Sequence, residues 1–320
     1  MFFSNIKGHK KNIEFLKKIV EDGNLSSSFL FLGPSGVGKK IVALEFARYI
    51  LSYKSNDLYS KSIDEESVRM FERGVYPDFL LVDLAYQAGI LGEDEEEQKS
   101  IKIDTIRSLI KFAYLAPSFS EKKMIIIDDA DRMTVEAQNA ILKTLEEPPS
   151  STIIILIASN QNLLLPTIIS RCNVIKFSRL SHNEVMDILI EKGFEFKKAE
   201  LLSSISNGSV YLAMRYSEII DMLSSDVKYG MLLPFIISSK ISKRPDLKEF
   251  LLMLLNFINS YIYFGIKKGS ISMEDGFSLI KENKRYLDYL RHNVNYRLIL
   301  ELSLYKFLKV FNYFKKGVGV

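Results

Sequence analysis

Residues 29–51 read FLFLGPSGVGKKIVALEFARYIL. The apolar run 29–32 has the length of a buried strand. It ends in a glycine-rich turn, which opens into an amphipathic helix carrying Val42, Ala43, Phe46, Ala47 and Ile50. Gly33, Gly36, Val37, Gly38 and Lys39 fit the spacing G-x-x-x-x-G-K, a phosphate-binding loop in its strand–loop–helix setting. Glycines let successive backbone N–H groups curl around anionic oxygens, and the helix N-terminus adds a positive dipole end. Lys39 supplies a point charge for the β- and γ-phosphates. The next position ordinarily carries Ser or Thr, whose hydroxyl helps to hold Mg²⁺; here it is Lys40. The plain alternative is a glycine-rich turn ahead of an ordinary helix.

Working outward, residues 12–20 have helical spacing, and 52–76 form a polar, charged stretch that reads as an insertion or helical excursion. Residues 78–84 (DFLLVDL) predict a buried strand, 93–97 an acidic solvated loop, and 103–113 a helix. A strand is expected at 124–127, then a helix capped by Thr134 and stopped by Pro148 and Pro149. Strands follow at 152–158 and 174–177, with a short helix over 167–170 that Pro166 starts. Apolar strands alternating with amphipathic helices predict a parallel sheet covered on both faces. Beyond residue 178 the pattern turns helical: 183–192, 199–204, 210–220, then a long helical region over 228–314. The expected domains are 1–178, 179–224 and 225–320.

The 320-residue chain is long enough for two or three domains, with 47% hydrophobic and 26% charged residues, as in soluble globular proteins. Its net charge of +4 is too small to argue for nucleic acid by itself. The first 178 residues carry 22 basic and 24 acidic side chains, a balance of −2; the remainder carries 21 and 15, or +6. A mildly basic second part suits an approach to DNA and suits a solvated helical surface equally well. The single cysteine, Cys172, excludes an intramolecular disulfide framework and a cysteine-only zinc site. The N-terminal MFFSNIKGHKK lacks signal-peptide character, and the most apolar window, 250–264, is short for a membrane span and interrupted by Asn256, Asn259 and Ser260. The expectation is a cytoplasmic protein without membrane attachment.

A second constellation follows the loop. Asp128 ends a strand, where a Walker-B acid holds Mg²⁺ through water, and Asp129 stands where an ATPase places the carboxylate that polarises the attacking water. Aspartate is one methylene shorter than glutamate, so its reach to that water is reduced. Arg171, in Ser170-Arg171-Cys172, has two readings: a structural ion pair, or an arginine finger reaching a neighbour's γ-phosphate.

Together these segments carry a resemblance. DDADRM at 128–133, AQNAILKTLEEPP at 137–149 and LLLPTIISRC at 163–172, with IKIDTIRSLI at 101–110 and Tyr76-Pro77-Asp78, resemble the AAA+ clamp-loader family of bacterial DNA polymerase III. Within it the likeness is to delta-prime subunits more than to gamma/tau motor subunits. It covers roughly residues 5–178. The resemblance implies a five-stranded RecA-like AAA+ domain, a helical lid and a helical collar. It implies a hetero-pentameric ring with gamma/tau and delta subunits that uses ATP to place a sliding clamp on primer-template DNA. In that ring the chain is expected to be a stator lending Arg171 in trans to the ATP of an adjacent subunit. Its own loop, with Gly33, Gly36, Val37, Gly38, Lys39, Lys40, Asp128 and Asp129, is expected to be a degenerate site for ATP or ADP with Mg²⁺ weakly held or absent. No zinc is expected, because 52–76 contains no cysteine. The lid arginine of motor subunits is missing after Gly208-Ser209, where Val210 and Tyr211 follow, and Arg215 lies a turn further on. The alternative is an ATP-hydrolysing motor subunit, for which Lys39 and Asp128 speak. An unrelated P-loop enzyme that phosphorylates a small molecule would leave the SRC motif a coincidence.

Overall fold

Five apolar runs, interrupted by amphipathic segments, pair into one parallel sheet. The computed structural model describes residues 2–52, 64–95, 98–225, 232–241, 246–290, 292 and 295–318. In chain order the strands are β1 (Ser28–Leu32), β2 (Phe79–Val82), β3 (Lys123–Ile127), β4 (Thr152–Ala158) and β5 (Asn173–Lys176). Their spatial order is β2-β3-β4-β1-β5, and every pairing is parallel, the five-stranded parallel sheet the sequence predicts. β1, β3 and β4 are buried throughout, which accounts for their unbroken apolar sequences.

Successive residues along a strand face opposite sides of the sheet, and two cores result. Phe29, Phe31, Met124, Ile126, Ile153 and Ile155 pack with Leu16 of α1 (Lys10–Glu21) and Phe46 of α2 (Lys39–Leu51). Leu30, Ile125, Ile127, Ile154 and Leu156 form a second core. After α3 (Glu65–Glu72) and α4 (Leu84–Leu91), that core is completed by α5 (Ile103–Tyr114), α6 (Val135–Glu146) and α7 (Pro166–Ile169). Thr134 caps α6 by accepting a hydrogen bond from the Ala137 N–H at 3.2 Å, as its position predicts.

The register fixes the functional geometry. Leu32 lies opposite both Ala158 and Lys176, and Ile127 opposite both Val82 and Leu156. Gly33, Asp83, Asp128 and Ser159, each the first residue after its strand, therefore gather at the carboxyl edge of the sheet. In open parallel sheets this is the edge where ligands bind.

Two expectations needed adjusting. The run 78–84 is not one strand: Asp83 accepts the Tyr86 N–H at 3.0 Å and caps α4, which the sequence reading did not anticipate. At the other end, Asp78 turns its buried carboxylate onto the backbone of 118–120. In the excursion 52–76, residues 53–63 lie outside the described residues; the remainder includes α3, capped by Asp64, and Tyr76, whose hydroxyl donates to the Leu51 carbonyl. Glu96 and Glu97 of the acidic run also lie outside the described residues.

The chain divides into two compact units, Met1–Glu184 and Val185–Val320. Helix α8 (His182–Glu191) begins at that boundary, and the second unit continues through α9 (Phe196–Ile205), α10 (Val210–Ser225), α11 (Leu233–Ile241), α12 (Leu247–Lys267), α13 (Met273–Tyr289) and α14 (Tyr296–Val318). Rings of Tyr216, Phe257, Tyr261 and Phe307 stack edge to face or tilted at 5.3–5.7 Å, joining α10, α12 and α14. At 21 residues α12 is longer than the apolar window suggested, and by length and composition alone it meets the requirement for a membrane span. Its packing is that of a core helix. Leu251, Leu254, Leu255 and Ile258 are buried, and its polar breaks are used: Asn283 of α13 donates to the Leu255 carbonyl at 2.8 Å and to Asn259 Oδ1 at 2.7 Å.

Candidate functional site

The loop after β1 carries its glycines where the backbone requires them. Gly36 and Gly38 have φ of +74° and +104°, a left-handed region that L-residues rarely enter. At Gly33 the constraint is space: a Cβ there would lie 2.2 Å from the Phe177 carbonyl oxygen. Val37 is buried, and its carbonyl accepts the His9 Nε2 hydrogen at 2.7 Å, a tie that the sequence did not announce.

Lys39 does not project from the loop. Its ammonium donates to the carbonyls of Gly33 at 2.6 Å and Pro34 at 2.7 Å, and to Ser159 Oγ at 3.2 Å. Burial lowers its pKa against the opposing pull of Asp131, Asp128 and Asp129. Ser159 is held in turn by Asp131, whose Oδ2 accepts the N–H groups of Ser159 at 3.0 Å and Asn160 at 2.7 Å.

Lys40 decides what the metal half of the site is able to do. Its ammonium sits 3.0 Å from Asp128 Oδ2 and 3.2 Å from Asp83 Oδ2. Desolvation works to lower its pKa, but the two carboxylates outweigh it and raise the pKa, so the cation persists. The remaining oxygens are committed locally: Asp128 Oδ1 accepts the Asp129 N–H, and Asp83 Oδ1 caps α4. The residues present therefore do not fit a Mg²⁺ ion held by Asp128, because the Lys40 ammonium already bridges Asp128 and Asp83. The backbone half, with its left-handed glycines and the open space beside Gly38, does fit a phosphate. Among the described residues no group of three or more His, Cys, Asp or Glu is placed to hold a metal.

Asp129 has φ of +47° and lies 3.7 Å from Arg132. Its pKa is raised by burial of the carboxyl and by the charges of Asp128 and Asp131, with Arg132 opposing.

Arg171 stands elsewhere. It precedes β5, and Asn173 lies opposite Phe29, near the beginning of β1. The phosphate loop follows the end of β1, so about four to five residues of strand rise, roughly 15 Å, separate the two levels. Arg171 is thus at the amino edge of the sheet, and the structure does not bring it to its own loop. Its Nη1 donates to the Thr167 carbonyl at 3.0 Å and Nη2 to Glu146 Oε2 at 3.2 Å; the side chain is 29% exposed. Nε is buried without a hydrogen-bond partner. Gln138 of α6 shapes this region by donating to the Leu163 carbonyl and accepting the Leu165 N–H just before α7. In the second unit, Arg215 pairs with Glu218 of its own helix at 2.9 Å.

Asp83, Asp131, Ser159, Glu146 and Gln138 were not singled out from sequence. Asp83 had a usable signal, being an acid that closes an apolar run as Asp128 does. The Glu146–Arg171 pair spans 25 positions and carries no local pattern.

Comparison with known proteins agrees with this architecture. Residues 8–181, just over half of the chain, match the family described as DNA polymerase III, delta subunit. The chain is 31% identical to DNA polymerase III subunit delta' of Pseudomonas aeruginosa over 145 residues, covering 45% of this chain and 41% of that protein. It is 32% identical to subunit delta' of Bacillus subtilis over 195 residues, 61% of this chain and 55% of that one. With subunit tau of Bacillus subtilis the identity is 28% over 240 residues, 70% of this chain and 38% of that one. The chain spans about half the length of the two delta' relatives. A matching family model over most of the α/β unit, on a five-stranded parallel sheet, places the chain in the DNA polymerase III delta-subunit family.

Proposed function

We propose that this chain is a delta-prime-type stator of a bacterial clamp loader, working in the cytoplasm within a hetero-pentameric ring of gamma/tau and delta subunits that loads a sliding clamp onto primer-template DNA. In this proposal the helical part of the chain after residue 178 comprises a lid over 179–224 and a collar over 225–320 that joins the ring. The chain's chemical contribution is Arg171, offered in trans to ATP bound by the adjacent subunit.

One observation carries the proposal: Arg171 and the phosphate loop occupy opposite edges of the same sheet. An arginine on that edge has no way to serve its own loop, yet its side chain is 29% exposed and held there by the exposed Glu146, from which a neighbour packed against the amino edge could draw it. A planar guanidinium there would stabilise charge on the transferring phosphoryl group. The chain's own loop lacks the corresponding equipment. The Lys40 ammonium is paired with Asp128 where a metal would need that carboxylate, and Asp129 lies 3.7 Å from Arg132. Metal clamping is a principal term in phosphoryl transfer, so its loss alone removes most of the hydrolytic capacity.

The experiment is steady-state ATP turnover by the purified full chain beside a Lys39→Ala variant. The proposal expects both at background. Turnover above background that Lys39→Ala abolishes would establish the motor alternative instead.

A further inference from the structure

We infer that the Lys40 ammonium is a built-in cation taking the place of Mg²⁺, so that the loop binds a nucleoside di- or triphosphate without any divalent metal. Asp83 and Asp128 each commit Oδ1 to a backbone N–H and each direct Oδ2 to one point, the Lys40 Nζ, at 3.2 and 3.0 Å. Two single carboxylate oxygens converging on one cation is the arrangement that ordinarily supports a metal between an acid and a phosphate. An ammonium has three N–H donors; the carboxylates take two, and the third is left for an anionic oxygen.

Lys39 points the same way. Its donors are spent on Gly33, Pro34 and Ser159, so the cradle's free cationic hydrogen bond belongs to Lys40. Both carboxylates are anchored by the fold: Asp83 caps α4, and the Asp128 N–H donates to the Val82 carbonyl at 2.9 Å. The bridge is thus held from three elements, β2–α4, β3 and α2. This inference rests on residues 33–39 as a phosphate cradle and not on the trans role of Arg171, so its failure leaves that role standing.

The test is a fluorescence titration of the full chain with N-methylanthraniloyl-ADP and N-methylanthraniloyl-ATP, in excess Mg²⁺ and in EDTA. Wild type should bind with dissociation constants within about twofold of each other in the two conditions. Lys40→Thr, which restores a hydroxyl and frees the carboxylate pair, should lose about tenfold or more in EDTA and regain affinity in Mg²⁺. In its nucleotide complex, Mn²⁺ should give a protein-bound paramagnetic resonance signal that wild type lacks. Lys40→Arg keeps the charge and should remain metal-independent, which preserves the test if Lys40→Thr unfolds. Wild-type binding that weakens about tenfold or more in EDTA, or the absence of binding in both conditions, overturns the inference.

Discussion

Removing the Asp78 carboxylate should loosen the α/β unit by an amount that follows from its four partners. Asp78 is fully buried and accepts the N–H groups of Ser118 at 2.7 Å, Phe119 at 2.7 Å and Ser120 at 2.8 Å, with Ser120 Oγ at 3.1 Å. It thereby pins the turn that delivers the chain into β3, while its own carbonyl accepts the Met124 N–H. Hydrogen bonds to a charged acceptor contribute about 1.5–3 kcal/mol each. Ser118 and Phe119 are exposed, so water re-partners much of what Asp78→Ala releases, and the net loss should be about 3–4 kcal/mol. For a unit of this size each kcal/mol moves Tm by roughly 2–4 °C, which gives a fall on the order of 10 °C at neutral pH. Acidity supplies an independent check. Burial tends to raise the Asp78 pKa, but the backbone and hydroxyl donors outweigh it and hold the pKa below the ordinary value. A carboxyl depressed in the folded state contributes stability that is complete above its unfolded pKa, near ~3.9, and is lost as pH falls through the folded value. Asp78→Asn should therefore cost stability at neutral pH and flatten the acid limb of the profile. Differential scanning calorimetry of the full chain from neutral pH downward measures both. A Tm change under about 2 °C for Asp78→Ala would refute the reasoning, as would acid limbs that superimpose for wild type and Asp78→Asn.

Other substitutions probe other joints of the same unit. Gly33→Ala should cost about 1–3 kcal/mol, read from the urea midpoint, because the new Cβ meets the Phe177 carbonyl at 2.2 Å and that neighbour is backbone. Thr134→Ala should cost about 1 kcal/mol by losing the α6 cap, with Thr134→Ser largely retaining it. Burial pushes the Cys172 thiol up to about 12. Iodoacetamide at mildly alkaline pH should therefore modify native Cys172 on the order of a thousandfold more slowly than the urea-unfolded chain, as followed by mass spectrometry.

Much of the sheet was legible because its signals are local. Unbroken apolar runs such as TIIILIA at 152–158 require burial on both faces, and residues 33–39 announce their turn through glycine spacing. Thr134 and Pro166 mark helix starts by chemistry that acts within a turn. Asp83 was misplaced for an equally local reason: an aspartate closing a strand and one opening a helix look alike until the following residues are seen to be helical. For the candidate site, the sequence names individual residues but not their pairings. Lys40 stood out as the wrong residue for a metal site, yet nothing near it indicated Asp83, 43 positions away, as its second partner. Arg171 drew notice through its neighbours Ser170 and Cys172, while its separation from the loop emerges only from the β1–β5 register. Gln138 reaches the segment leading to α7 and Glu146 reaches Arg171 beyond it, both across tertiary contacts of α6 where sequence periodicity is silent.

In the proposed ring this chain's own loop is chemically silent while its arginine works in a neighbour's site. The direct measurement is clamp- and DNA-stimulated ATP turnover by loaders reconstituted with motor subunits and one of three versions of this chain: wild type, Lys39→Ala or Arg171→Ala. Assembly is checked by size-exclusion chromatography. All three should assemble, Lys39→Ala should turn over as wild type does, and Arg171→Ala should fall by about tenfold or more, since a trans arginine contributes several orders of magnitude at the site it serves. Loss with Lys39→Ala, or unchanged turnover with Arg171→Ala, would contradict the proposal.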